Sequence, residues 1–113
     1  MYYTDMVHLP LTEITKAGIQ HLENWFAENG YKNSEADIWH PAIADIKADG
    51  HWENILVQVK TVLHPEERTL LNGTDRFALK DIAQRLERTP YIAYLAIDHD
   101  KNLVGDIIWE KLF

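Results

Sequence analysis

The sequence predicts an α/β domain: a mixed β-sheet flanked by helices, with elements in the order α-β-β-β-α-β-β and residues 1–113 forming one domain. Three observations point there. Apolar residues recur at helical spacing near the start of the chain and again after residue 74. Alternating or continuously apolar segments lie between and after these two stretches, and Gly, Pro, Asn and Asp punctuate the junctions. Strands grouped between two helices favour a mixed sheet over a sandwich. With 113 residues, 46% hydrophobic and 26% charged, the chain can bury a core without staples.

In the first helix Leu11, Ile14, Gly18 or Ile19, Leu22, Trp25 and Phe26 share one side, with Thr12 as the expected N-cap, Thr15 in the first turn and Asn29-Gly30 as the stop. Tyr31 to Trp39 contains a short strand, interrupted at Asn33-Ser34 and closed by His40-Pro41, since proline cannot donate to a ladder. Two strands follow, around Ile43–Lys47 and Ile55–Lys60. After Lys60 the turn-rich residues predict a loop with a helical turn near Glu66 to Leu70. The second helix begins at Thr74 or Asp75, buries Leu79, Ile82, Ala83 and Leu86, and ends at Thr89-Pro90. Tyr91 to Ile97 reads as a buried strand, Asp98 to Asn102 as a turn, and Leu103 to Trp109 as the partner strand of a hairpin.

The third strand carries the chemistry. Side chains alternate along a strand, so Leu56, Gln58 and Lys60 share one face while Ile55, Val57 and Val59 share the other. If the second and third strands form a hairpin around Asp49-Gly50, Asp45 falls on the side of Gln58 and Lys60. A tight two-residue turn would pair Asp45 with Asn54 and leave Gln58 roughly 13 Å away. A longer connection, about Asp49 to Asn54, places Asp45 across from Gln58, which is the register an active site needs. A carboxylate, an amide and a lysine on one face outline an arrangement for cleaving phosphodiesters.

These residues resemble the PD-(D/E)XK, or restriction-endonuclease-like, superfamily: a leading amphipathic helix, Asp45, the strand Ile55-Leu56-Val57 running into Gln58-Val59-Lys60, then a helix and a hydrophobic strand. The likeness runs from about residue 12 onward. Gln58 departs from the commoner acidic residue, and some active members, including transposon end-cleaving nucleases, look similar in using Gln there. The resemblance implies a restriction-endonuclease-like core and a weakly bound Mg²⁺ or Mn²⁺ ion. Asp45, the Gln58 amide oxygen and the Val59 carbonyl would hold it, and Lys60 would orient or deprotonate water. For the superfamily's first-helix acid, Glu23 and the less suitably placed Glu13 are candidates, with Gln20 on the face of Glu23; Asp37 is the alternative to Asp45.

Other features narrow the function. The net charge is −7, with nine acids against three bases up to residue 59 and nine against eight thereafter. Lys60, Arg68, Arg76, Lys80, Arg85 and Arg88 gather around the second helix, either as a phosphate-facing surface or as a solvated helix face. So acidic a chain would act on DNA with a partner protein or as a homodimer. The histidines show no ligand spacing, and Trp25 and Trp109 read as core while Trp39 and Trp52 stay open. No apolar run approaches a membrane span, the start shows no signal-peptide pattern, and the lack of cysteine fits a reducing cytoplasm. The expected function is metal-dependent hydrolysis of DNA by a nuclease of a defence, repair or mobile-element system; the alternative is a degraded nuclease fold kept as a binding or protein-interaction module.

Overall fold

The computed structural model describes residues 9–40, 43–66 and 73–112. Seven elements follow one another: α1 (Leu11–Glu28), β1 (Lys32–His40), β2 (Ile43–Asp49), β3 (Asn54–Leu63), α2 (Gly73–Arg85), β4 (Thr89–Ile97) and β5 (Ile108–Lys111). One mixed sheet contains all five strands in the order β1-β2-β3-β4-β5. The first three strands run antiparallel, β3 and β4 are parallel with α2 as the crossover, and β5 returns antiparallel to β4. Among the described residues no helix is long and apolar enough to cross a membrane.

The helices cover opposite faces. Ile19, Leu22 and Phe26 of α1 pack on Ala44, Ile46 and Ala48 of β2, Ile55, Val57 and Val59 of β3, and Ala93 and Leu95 of β4. On the other face Leu79 and Ala83 of α2 pack on Leu56, Ile92 and Tyr94. The three small or short-branched positions on β2 and the glycine in α1 permit close approach. A Cβ at Gly18 would meet Thr61 Oγ1 at 1.8 Å, so α1 rests on β3 only because that position has no side chain.

Several elements differ from the sequence expectation for local physical reasons. The N-cap of α1 is Pro10, not Thr12: its carbonyl accepts from Glu13 and Ile14 N–H at 3.0 and 3.1 Å, and Thr15 Oγ1 donates back to Leu11 O. The interruption at Asn33 is absorbed inside β1, where Asn33 adopts φ 56 and the pairing shifts between Lys32 and Glu35. β3 runs on to Leu63 instead of breaking after Lys60, because β4 pairs with it as far as Leu63↔Ile97. β5 starts at Ile108 rather than Leu103; Leu103 makes only an isolated bridge to Ile97, and the chain leaves the ladder around Gly105 at φ 74. In α2 the helix ends at Arg85, with Glu87 at φ 58 and Arg88 N–H reaching Ala83 O at 2.8 Å. Ile82 and Leu86, expected in the core, are exposed, because among the described residues α2 rests on β3 and β4 alone and these two residues overhang β2. The helical turn expected around Glu66 to Leu70 falls mainly outside the described residues.

Gly18→Ala should therefore lower stability by about 1–3 kcal/mol through overpacking, measured by denaturant unfolding. Adding Thr61→Ala should recover part of the loss, because the two positions share one contact.

Candidate functional site

The β2–β3 pairing is Ala44↔Val59, Asp45↔Gln58, Ile46↔Val57, through to Asp49↔Asn54. Residues 50–53 make the longer connection, closed by Gly50 N–H to Glu53 O at 2.9 Å. Asp45 thus stands directly opposite Gln58. On its other side it stands opposite Asp37 of β1, so Asp37, Asp45 and Gln58 form a row across three strands. Directly opposed residues of an antiparallel pair have Cβ atoms about 4.5–5.5 Å apart on the same face. The row continues through Ile92 to Glu110 at the far edge.

Asp37 was the alternative to Asp45 in sequence; here the two are neighbours. Both line a cleft of about 420 Å³ together with Glu35, Lys47, Leu56 and the overhanging Ile82 and Leu86. Lys47 lies 3.7 Å from Glu35, an exposed pair worth little. Gln58 is only 5% exposed, and its Oε1 is a buried acceptor that no donor among the described residues reaches. An unmet buried acceptor costs about 1–3 kcal/mol. A cation or a donor brought by a ligand would offset that cost.

Lys60 projects from the same face of β3, two residues beyond Gln58 and opposite Tyr94, and is half-buried. It lines a smaller hollow of about 180 Å³ with Leu11, Ile14 and Glu66, and no acid among the described residues lies within ion-pair distance of its Nζ. Val59 points its side chain into the α1 layer, fully buried. Its part in any ion site is confined to its carbonyl.

The first-helix acids are not brought to this row. The buried side of α1 packs on Ala44, Ile46 and Ala48, which alternate with Asp45, so the sheet stands between Glu23 and the Asp45 face. Glu13 is held by Lys101 at 2.9 Å, which lowers its carboxyl below the ordinary value, and Gln20 donates to Asn24 at 3.0 Å. The acid that reaches Asp45 comes instead from β1. Sequence periodicity carried no signal for this, since only the β1–β2 register puts Asp37 beside it.

The three described arginines of the basic cluster are consumed within the molecule. Arg76 makes a two-pronged pair with Glu110, which also accepts from Tyr94 Oη at 3.1 Å. Arg85 pairs with Asp81, and Arg88 donates to the carbonyls of Ala48 and Ile55 at 3.1 and 3.2 Å while lying 3.0 Å from Asp49 Oδ1. Arg88 therefore fastens the turn end of the β2–β3 hairpin. Lys80 is exposed, and Arg68 lies outside the described residues. Among the described residues no three Asp, Glu, His or Cys side chains gather as a ready-made cation site. His21 touches Lys101 O at 2.7 Å, and His51, His64 and His99 are exposed. Trp52 is 91% exposed on the hairpin loop, and the side chain of Trp39 lies outside the described residues. No protein-family model matches this chain, and no curated protein matches it in sequence.

The Asn33 amide and Arg88 hold the Asp49 carboxyl below its ordinary 3.8, against the opposing effect of burial. Arg76, followed by the Tyr94 hydroxyl, does the same for Glu110 relative to 4.5. Carboxyls lowered on folding contribute stability that is present above those ordinary values and lost as pH falls below them. Arg88→Ala and Glu110→Gln should each destabilise the protein at pH 7 and shrink the difference between unfolding midpoints at pH 7 and pH 3, measured by denaturant titration.

Proposed function

We propose that the protein is a metal-dependent nuclease-like hydrolase of phosphodiesters, with a restriction-endonuclease-like core and Asp45, Gln58 and Lys60 at its centre. The observation that carries this reading is the juxtaposition of Asp45 with a buried, unmet Gln58 oxygen on one face, and Lys60 two residues further along that face. The element order and the antiparallel β1–β2–β3 meander followed by a helical crossover support the same reading. The donor set fits Mg²⁺ or Mn²⁺: hard oxygens from Asp45, the Gln58 amide and the Val59 carbonyl, with Asp37 alongside. Such an ion supplies charge stabilisation at phosphoryl oxygens and a more acidic bound water.

The side chains have separable tasks. Asp45 and Asp37 supply negative charge at the cleft, and Gln58 supplies a neutral acceptor where a carboxylate is commoner, which weakens ion affinity until a phosphate adds its own oxygens. Lys60 offers a cation to the developing negative charge of a phosphorane and holds water by hydrogen bonding. Because Arg76, Arg85 and Arg88 are tied up internally and the chain carries −7, DNA affinity must come from a partner protein or a second copy. That same internal use of cations favours the second reading, a fold retained as a binding module.

Two experiments decide between them. Lys60→Ala should abolish Mg²⁺- or Mn²⁺-dependent cleavage of single-stranded, double-stranded or branched DNA while shifting stability by no more than about 0.5 kcal/mol; equal nicking by wild type and variant overturns the assignment. Gln58→Glu should bind Mn²⁺ more tightly than wild type in calorimetric titration, and Asp45→Asn should erase that gain. Absence of ion binding in all three proteins, with oligonucleotide present, leaves the binding module as the better account.

A further inference from the structure

A second constellation lies on the opposite face of the sheet and takes no part in the row just described. Five segments converge on a hollow of about 160 Å³ lined by Trp25 of α1, Tyr31 beyond it, Ile55 of β3, Tyr91 of β4 and Trp109 of β5. The rings touch in series: Tyr31 to Trp25 at 6.0 Å between centroids, Trp25 to Trp109 at 4.9 Å and Trp109 to Tyr91 at 6.0 Å, the last edge-on at 84°. The chain of rings is an arc with a tyrosine at each end. Phe26 and Ile55 beside it are buried to within 1% and 2%, whereas all four arc residues keep part of their surface in solvent. The arc therefore flanks the α1 core and presents part of its ring surface to the hollow and to solvent.

One end of the arc meets a carboxylate. Tyr91 Oη donates to Glu53 Oε2 at 2.9 Å, and the charge on Glu53 also acts on Tyr31. Burial, reinforced by Glu53, pushes the Tyr91 hydroxyl up to about 12, and burial with Glu53 raises Tyr31 as well. At neutral pH both phenols are therefore protonated, and the Glu53 carboxylate lies one hydrogen bond behind the Tyr91 wall of the hollow. Lys111, opposite Tyr91 on β5, is exposed and makes no ion pair with Glu53 among the described residues.

We propose that this hollow binds a methylated ammonium group. Aromatic rings attract cations through their quadrupole, most strongly when the cation is weakly hydrated, and a carboxylate behind the wall offsets its charge. A quaternary head loses little hydration on entering apolar walls, whereas a primary ammonium would leave N–H donors unmet there. The size agrees: pockets for larger organic ligands start near about 300 Å³, while 160 Å³ suits a single trimethylammonium head. An anion is disfavoured by Glu53, and a neutral hydrocarbon has no use for it. The site stands whether or not the Asp45 row is catalytic.

The test uses the full chain in a Trp52→Phe background, since the 91% exposed Trp52 would respond to any solute. Tetramethylammonium and choline are titrated at constant ionic strength against ammonium and the neutral choline isostere 3,3-dimethylbutan-1-ol, following the indole N–H resonances of Trp25 and Trp109. Saturable shifts of both resonances with the quaternary cations, and much weaker ones with ammonium and the alcohol, are expected. Glu53→Gln, whose unfolding curve is recorded alongside, should weaken binding about five-fold, the effect of one partly screened charge. Trp109→Phe, which keeps a smaller ring in place, should weaken it as well. Equal response to the neutral alcohol, unchanged affinity in Glu53→Gln, or no saturable shift with any quaternary cation overturns the proposal.

Discussion

The register between β2 and β3 is the constraint on which the rest depends. Ala44, Ile46 and Ala48 face α1 because Asp45↔Gln58 is the pairing, and a slip by one residue would turn all three outward. The same slip would drive Asp45 and Lys47 against Leu22 and Phe26, where unpaired charge is expensive. Packing of α1 and exposure of the polar row on the far face are thus one structural decision. Arg88 reinforces it from outside, bridging the ends of both strands and the Asp49 carboxylate.

An unequal division of the two faces creates the cleft. α1 spans β1 to β4, whereas α2 touches only β3 and β4, so among the described residues no helix lies above the β1–β2 half of the second face. Ile82 and Leu86 project from α2 over that gap and become a wall rather than core. Gln58 sits where the covered half meets the open half: buried by its surroundings, yet adjacent to Asp45 on the cleft side. That boundary position fits an acceptor that is 5% exposed and that no donor among the described residues reaches.

Several charges in this molecule are spent on holding its own elements together. Arg76, Glu110 and Tyr94 join α2, β5 and β4 in one hydrogen-bonded group, and Lys101 reaches across to Glu13 of α1. Each pair is partly solvated, so its contribution is modest singly; their value lies in tying elements that share little apolar surface. β5, only four residues long and half-exposed, gains most from this, being held by Glu110 on one face and by Trp109 in the aromatic arc on the other.

Local pattern alone determined the element order, the mixed sheet with helices on both sides, the shared face of Asp45, Gln58 and Lys60, and most of the α1 core, because these follow from side-chain periods of 2 and 3.6. Boundaries moved for two kinds of reason: β3 lengthened against its non-local partner β4, whereas β5 shortened around Gly105 and the α1 cap passed to Pro10 through local backbone geometry. What no period encodes is which elements face each other across the sheet. Only tertiary structure put Glu23 on the wrong side of the sheet for Asp45, set Asp37 beside it, drew the second helix's arginines into internal pairs, and gathered Trp25, Tyr31, Tyr91 and Trp109 around one hollow. Most of those outcomes join residues on different elements, where register and layer order, rather than local sequence, decide what touches what.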